Sequence, residues 1–343
     1  MKKKSLLITG GAGFIGSNFI PFFLEKYNDY HLINLDALTY AGDLENLKEV
    51  EKNLNYSFVK GDIRDQELLF HLFQKYEING VIHFAAESHV DNSIKNPTIF
   101  AETNIIGTLN LLEIARNHWM EQPFVYKEQY VGARFYHIST DEVYGSLGST
   151  GFFTEQTPYA PNSPYSASKT SSDMLVRSYF HTYGMNVVTS NCSNNFGPKQ
   201  HDEKLIPKLI NNAINGRQLP IYGDGKNIRD WLFVEDHCRA IDLVFHEGKA
   251  GETYLIGAHN ERTTIEITEY ICEYLDKVFP KSKSYKEQMQ FIKDRPGHDF
   301  RYAIDASKIE KELGWKAEIS FEVGMVNTIN WYIRKYSKMV EEL

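Results

Sequence analysis

TGGAGFIGSN (residues 9–18) follows a short apolar run, SLLITG (5–10), and opens a helical pattern from Phe14 to Tyr27. Gly11, Gly13 and Gly16 satisfy G-x-G-x-x-G, and Gly10, Gly13 and Gly16 satisfy G-x-x-G-x-x-G. Glycines between a strand and a helix let the backbone approach a pyrophosphate, whose charge then sits at the positive end of the helix. A tight turn without any ligand also uses glycines, so the triplet alone decides little. Asp36 weighs more. It ends the next apolar run, HLINLD (31–36), about 20 residues beyond the glycines, where an acid is expected to hold the adenosine ribose hydroxyls. A helix cap is the plainer role for an aspartate, but it does not explain this position. A carboxylate there repels a 2′-phosphate, so the pattern favours NAD over NADP. GDIRD (61–65) puts Asp62 at a third strand end, suited to an adenine amino group, with helix capping by Asp62 or Asp65 as the alternative.

Outward from this unit, short apolar runs alternate with helical patterns. YSFVKGD (56–62), GVIHFAA (80–86), RFYHIST (134–140) and NVVTSN (186–191) read as strands, separated by helical stretches near 43–52, 65–77, 97–118 and 164–183. Such alternation predicts an α/β fold: a Rossmann-type doubly wound parallel sheet with helices on both faces. The 119–133 stretch is long for a connection and is expected to be a surface excursion. After about residue 196 the alternation weakens into helical patterns at 204–217, 234–245 and 262–279, a Gly-rich loop at 222–230 and a strand at 252–257. The expected division is a cofactor domain over 1–195, to which the chain returns around 232–257, and a smaller α/β C-terminal substrate domain over 196–343.

Composition sets limits. A chain of 343 residues with 42% hydrophobic and 24% charged residues can build a full core. The net charge of −8, with no run of like charges beyond the lysines of Met1-Lys2-Lys3-Lys4, does not suggest a nucleic-acid surface. An anionic ligand is still compatible, because helix N-termini and a few basic side chains supply local positive potential. Cys192, Cys238 and Cys272 are odd in number and widely spaced, which predicts reduced thiols and neither a disulfide framework nor a metal site. The apolar run after the opening lysines is only Leu6-Leu7-Ile8, well short of the roughly 7–15 residues of a secretory core. No run approaches the roughly 18 residues of a membrane span, so a cytoplasmic protein is expected.

The chemistry concentrates in two motifs. HISTDEVYG (137–145) ends a strand with Ser139 and Thr140 and then sets two acids, Asp141 and Glu142, side by side. Acids are poor strand formers and repel each other when buried. YSASK (165–169) places Tyr165 and Lys169 one helical turn apart. A nearby ammonium and a nicotinamide cation lower a phenol's pKa, so that a tyrosinate can take a hydroxyl proton during hydride transfer. Y-x-x-x-K is common by chance; behind a dinucleotide fold and a Ser-Thr strand end it gains weight. Thr140 is placed to hydrogen-bond the same substrate hydroxyl. Asn104, inside the 97–118 helix, is expected to hold a water or a backbone group, or to be structural.

GGAGFIGSN, DALTYAG, GDIRD, HFAAESHVDNSI, STDEVYG, SPYSASK, NCSNNFGP, KLIPKLI, LPIYGDGKNIRDWLFVEDH and DRPGHD span nearly the whole chain. Together they resemble the extended short-chain dehydrogenase/reductase family, specifically its NAD-dependent sugar-nucleotide 4,6-dehydratases. STDEVYG and IRDWLFVEDH are far more specific than the glycine motif. The resemblance implies a lyase acting on dTDP-glucose in rhamnose-type deoxysugar nucleotide biosynthesis. In that reaction carbon 4 is oxidised, water is eliminated across carbons 5 and 6, and the hydride returns to carbon 6, so that NAD is regenerated. It makes Tyr165 the base of the oxidation, Asp141 the acid and Glu142 the base of the elimination, with Thr140 and Lys169 completing the catalytic set. Two carboxyls whose environments separate their pKa values can divide such work.

The resemblance also implies cofactor contacts at Gly10, Gly13, Phe14, Ile15, Gly16, Asp36, Ala37, Leu38, Thr39, Asp62, Ile63, Ala85, Ala86, Ser88, Thr103, Tyr165, Lys169 and Asn195. Sugar-nucleotide contacts are implied at Ser88, Thr140, Asn194, Lys204, Leu205, Pro220, Ile221, Tyr222, Arg229, Asn260, Arg295 and His298. Arg229 and Arg295 suit a diphosphate, whose paired oxygens match a guanidinium fork; pairing of Arg295 with Asp294, or Tyr222 in the core, are the plainer alternatives. The sequence departs from the family at His201-Asp202, in a loop that is usually more apolar, and at Phe300, where relatives often carry Arg. A sugar-nucleotide 4-epimerase would share the fold and Y-x-x-x-K but need no acid pair, and a decarboxylase often keeps the Glu with a Ser-like residue for Asp141. A binding module that had lost its chemistry would be expected to lack Tyr165 or Lys169. A homodimer is expected as well: Ile105, Ile106, Leu109 and Leu112, and Met174, Leu175, Tyr179 and Phe180, give their helices apolar residues on more than one face.

Overall fold

Leu6, Leu7 and Ile8 have no exposed surface, because their strand lies in the interior of a parallel sheet covered on both faces. The computed structural model describes residues 3–294 and 296–341, with side chains in the last helix described through Tyr336. Strands β1 (Lys4–Thr9), β2 (Tyr30–Asp36), β3 (Tyr56–Lys60) and β4 (Gly80–His83) come first; a hairpin, β5 (Met120–Gln122) and β6 (Val125–Tyr126), precedes β7 (Arg134–Thr140). Then follow β8 (Val187–Cys192), β9 (Asn194–Phe196), β10 (Leu219–Tyr222), β11 (Ile228–Phe233), β12 (Thr253–Ile256), β13 (Glu261–Thr263) and β14 (Met289–Ile292). The helices are α1 (Phe14–Lys26), α2 (Gln66–Tyr76), α3 (Val90–Lys95), α4 (Pro97–Phe100), α5 (Thr108–Trp119) and α6 (Pro164–Tyr183), then α7 (Leu205–Ile214), α8 (Val234–Glu247), α9 (Thr264–Val278), α10 (Ser307–Leu313) and α11 (Phe321–Glu341).

Seven strands form the main sheet in the order β12-β8-β7-β4-β1-β2-β3, every pair parallel. This is the doubly wound arrangement expected from the alternation. Strand alternation sends Leu6 and Ile8 into the core beneath α1 and α8, and Leu7 into the opposite core beneath α2, α5 and α6. The chain leaves β1 toward β2 and β3, then returns to β4 on the other side of β1, so the loops diverge and open a crevice at the strands' carboxyl ends. Helix α8 packs on α1, and β12 extends the sheet beside β8. Helix α10 also joins the sheet core through Ile309, while α7, α9 and α11 surround a separate core that includes Phe196, Ile206, Trp231, Ile271 and Met325.

Several local expectations change. The single helix over 97–118 is α4, then a π-helical segment Ala101–Gly107, then α5. The wider turn turns the Asn104 carbonyl toward two hydroxyls, Thr108 and Ser172, each at 2.6 Å. The strand over 80–86 stops at His83, and the 43–52 helix is only a 3₁₀ turn, Leu44–Leu47, capped by Asp43. The 119–133 excursion is anchored rather than merely superficial: its hairpin is bracketed by buried Trp119, Met120 and Tyr130.

Candidate active site

The end of β1 meets the loop after β4 at Gly10, whose φ is +71 and where an added Cβ would lie 2.6 Å from the Ala85 backbone nitrogen. At Gly16 a Cβ would come within 2.6 Å of the Gly11 Cα. These close approaches, rather than loop flexibility, require glycine. Helix α1 starts at Gly13 without a side-chain cap, which leaves its first amides directed at the crevice. The Asp36 carboxylate is anchored by the Ala12 amide at 2.9 Å and the Leu38 amide at 2.8 Å. Burial raises its pKa. Each oxygen keeps a lone pair for a hydroxyl. A bare strand-helix turn and a carboxylate fixed across it fit the pyrophosphate and ribose of a dinucleotide.

The crevice is a cavity of about 360 Å³ running from this cradle to the ends of β7 and α6. Every residue expected on the cofactor side lines it except Leu38, which contributes its amide to Asp36 instead. Asp62 is gripped by Arg64, with 2.7 Å between Nη2 and Oδ2, and that guanidinium holds its carboxyl below the usual range. Asp65 caps α2, accepting from the Leu68 amide at 3.0 Å.

The chemical corner follows from two helix starts. Thr140 ends β7 and caps the 3₁₀ turn Asp141–Tyr144, its Oγ1 accepting from the Glu142 amide at 3.3 Å and donating to Asp141 Oδ1 at 3.4 Å. Asp141 is 2% exposed, and its Oδ2 has no hydrogen-bond partner. Burial, reinforced by the Glu142 charge, holds its carboxyl well above the usual range, which favours the protonated form. Glu142 is half-buried on the cavity wall. The two neighbouring acids therefore differ in burial, Asp141 enclosed and Glu142 open to the cavity.

Ser163 and Ser166 form a capping box with Pro164 at the first helical position, which sets Tyr165 and Lys169 on successive turns of α6 facing the cavity. The expected lowering of the Tyr165 phenol by Lys169 is not a property of the protein alone. Burial and the Glu142 charge push the phenol well above 10, with a Thr140 hydrogen bond working against them. Lys169 donates to the Ile138 carbonyl at 2.9 Å, and burial brings its pKa down to about 8. Asn104 holds protein groups: it pairs with both backbone groups of Glu87 and with Ser168.

Of the residues expected around the sugar nucleotide, Ser88, Thr140, Asn194 and Lys204 line the cavity, and the Asn194 Oδ1 is buried there without a hydrogen-bond partner. Leu205, Pro220, Ile221, Tyr222, Arg229, Asn260 and His298 do not line it. Arg295 lies outside the described residues. Arg229 stacks 4.1 Å from the Tyr302 ring and donates to the carbonyls of Ile228, Asp299 and Phe300. Its charge still opposes the raised Asp141 carboxyl. Tyr222 reaches Asp91 at 3.4 Å beside the His298 ring, His298 faces Asp294 at 2.6 Å, and the Asn260 amide is held by Asp230. Asn195 is fixed by His237 at 2.8 Å and by the Ser193 carbonyl at 2.9 Å.

Two acids on the cavity wall, Glu87 and Glu203, escaped the sequence reading. Burial and the Glu203 charge raise the Glu87 pKa. Glu203 lies 3.8 Å from His89, and its Oε1 is buried without a hydrogen-bond partner. The only sequence signal was the adjacency of each to a singled-out residue, Ser88 and Lys204.

The model of the family described as GDP-mannose 4,6 dehydratase matches residues 7–328. The dTDP-glucose 4,6-dehydratase of Xanthomonas campestris pv. campestris (strain B100) is 53% identical over 329 residues, 95% of this chain and 92% of that one. The crystal structure of the Bacillus anthracis dTDP-glucose 4,6-dehydratase in complex with NAD superimposes with a TM-score of 0.85 at 46% identity, covering 97% of this chain and 98% of the other. The Streptomyces venezuelae dTDP-glucose 4,6-dehydratase, also with NAD bound, gives 0.88 at 43% identity over the same shares. Agreement that runs through the glycine cradle, the acid corner and the C-terminal lobe alike makes this chain a member of the GDP-mannose 4,6 dehydratase family, on its dTDP-glucose 4,6-dehydratase branch.

Proposed function

We propose that the protein dehydrates dTDP-glucose to dTDP-4-keto-6-deoxyglucose with NAD held as a regenerated cofactor, supplying deoxysugar nucleotides. The observation that carries this reading is the acid pair: Asp141 and Glu142 share one cavity with Tyr165, Lys169 and the glycine cradle. An epimerase has no use for two acids beside its tyrosine.

The residues divide the work as follows. The α1 amides would hold the pyrophosphate of NAD and the Asp36 carboxylate its adenosine ribose. When bound, NAD supplies a temporary store for the carbon-4 hydride and a positive charge near the Tyr165 phenol. That charge and the Lys169 ammonium offset the burial that raises the phenol, so Tyr165 takes the carbon-4 hydroxyl proton while Thr140 orients that hydroxyl. The resulting ketone acidifies the carbon-5 proton. Glu142 removes it, and neutral Asp141 protonates the departing carbon-6 hydroxyl. Among the described residues no helix is long and apolar enough to cross a membrane, and a cytoplasmic site of action is part of the proposal.

The test is to incubate the purified protein with dTDP-glucose and look for a 4-keto product that absorbs in strong alkali. Turnover should need little or no added NAD and release no net NADH. An unchanged sugar, or free NADH accumulating steadily, would overturn the reading.

A further inference from the structure

Asp173 lies one helical turn beyond Lys169 and is 3% exposed. It does not line the cavity. Its Oδ2 accepts from the Asn191 amide at 2.9 Å and the Tyr159 hydroxyl at 3.3 Å, and its Oδ1 lies 3.2 Å from His137 Nε2. His137 Nε2 is in turn 3.4 Å from the Lys169 ammonium. Asn191 also donates to the Thr140 carbonyl at 3.1 Å, which joins this cluster to the catalytic corner from behind.

We propose that Asp173 is a positioning residue for the oxidation, the buried counter-charge that keeps Lys169 cationic and directed at Tyr165, acting through space and through the His137 ring. The proposal rests on the roles given above to Tyr165 and Lys169.

Three features carry it. The first is placement: the His137 Nε2 lies between the two groups, 3.2 Å from Asp173 Oδ1 and 3.4 Å from the Lys169 ammonium. The Lys169 ammonium, a donor only, contacts that ring nitrogen and donates to the Ile138 carbonyl at 2.9 Å. The second feature is charge. The groups facing Lys169 are Asp173 on its own helix, His137 on β7, Cys192 on β8 and His83 on β4, with Asp141, Glu142 and Tyr165 around the corner beyond. Burial holds His137 down at about 4 and His83 well below its ordinary value, so both are neutral near pH 7. Burial pushes the Cys192 thiol up to about 12, so it too is neutral. That leaves the Asp173 charge as the one within the packed cluster behind Lys169 that supports its cation. The third feature is shielding: a carboxylate held by Asn191 and Tyr159 keeps its place without sharing the cavity with substrate.

The sign follows. Burial favours neutral Lys169, and the Asp173 charge opposes this. Without that charge the cation is lost at lower pH, and with it the stabilisation of the tyrosinate.

The experiment is single-turnover reduction of bound NAD on mixing with dTDP-glucose, followed by NADH absorbance across pH in the purified holoenzyme. In D173N the alkaline limb should move to lower pH by about one unit or more. The neutral-pH rate should fall roughly tenfold or further, while the apparent KM for dTDP-glucose stays unchanged. In Y159F, which strips a screening donor from the carboxylate, the limb should move the other way. A D173N limb that stays where the parent has it, whatever the rate, overturns the proposal and leaves Asp173 a structural group. Should D173N not fold, an unmoved or lowered limb in Y159F overturns it. A parent protein that shows no NADH at any pH refutes the proposed function instead.

Discussion

The Asn104 side-chain amide donates to the Ser168 hydroxyl at 2.8 Å, one residue before Lys169, and the same side chain pairs with the Glu87 amide at 2.8 Å and carbonyl at 3.0 Å. One buried asparagine thus ties the π-helical turn, the loop after β4 and helix α6 together. Asn104→Ala takes these partners from the Glu87 backbone and Ser168, at about 1–3 kcal/mol for each group that finds no water. The variant should melt measurably lower in calorimetry and reduce bound NAD more slowly. An unchanged melting temperature would show that the turn is held by packing alone.

The members of the acid pair should fail differently. Glu142→Gln and Asp141→Asn both leave Tyr165, Thr140 and Lys169 in place, so both should reduce bound NAD and stall, with turnover down about 10²–10⁴-fold. In Asp141→Asn, Glu142 still removes and returns the carbon-5 proton, so solvent deuterium should enter the sugar; in Glu142→Gln it should not. Tyr165→Phe should bind NAD yet show no NADH. Equal exchange in the two acid variants would mean that the roles are reversed or shared.

Asp141 also predicts a pH dependence of stability. Its folded-state pKa is raised by burial and by Glu142, so its contribution is fully present below its unfolded value of about 3.9 and is lost as pH rises toward the folded value. Asp141→Asn removes this loss. Thermal melts should place the variant progressively above the parent as pH climbs from about 4. A gap that shrinks with rising pH would contradict the buried, neutral acid.

A homodimer through α6 and the π-helical segment is the fourth expectation. Leu112 and Tyr179 belong to the sheet-facing core, but Ile106 is 49% exposed and Met174 46% exposed on the outer side of the same elements. Covering them needs a partner surface, and a two-fold pairing of the two helices supplies one. Light scattering at micromolar concentration should give a dimer, and Ile106→Asp combined with Met174→Asp should shift it toward monomer. A monomeric parent would end the idea.

What could be read in advance was local. Glycine spacing, an acid at a strand end, Tyr165 and Lys169 one turn apart and two adjacent acids are short-range patterns, and each falls on the one cavity. Glu87 and Glu203 could not be read this way, because they meet only where the loop after β4 faces the loop before α7, and no sequence period links those loops. The π-helical turn was hidden for another reason. Over seven residues its apolar spacing barely departs from that of an α-helix, and its cause is a tertiary hydrogen-bond pattern around Asn104. Arg229 has the residue type of a diphosphate ligand, yet of the three carbonyls that engage it two come from Asp299 and Phe300, far away in sequence. The burial that raises the Tyr165 phenol, against which Lys169 and a nicotinamide cation would act, cannot be read from Y-x-x-x-K.

The sheet is closed late. β8 bears six buried residues, and its outer neighbour is β12, which the chain supplies only after crossing the C-terminal lobe once. During synthesis the strands that carry the cofactor cradle and both catalytic corners emerge first, with β8 left as an unpaired edge until residue 256 has been made. A nascent chain halted before that point holds every residue of the acid pair and the tyrosine-lysine pair, but leaves the β8 edge's backbone N–H and C=O groups unpaired and open to other chains.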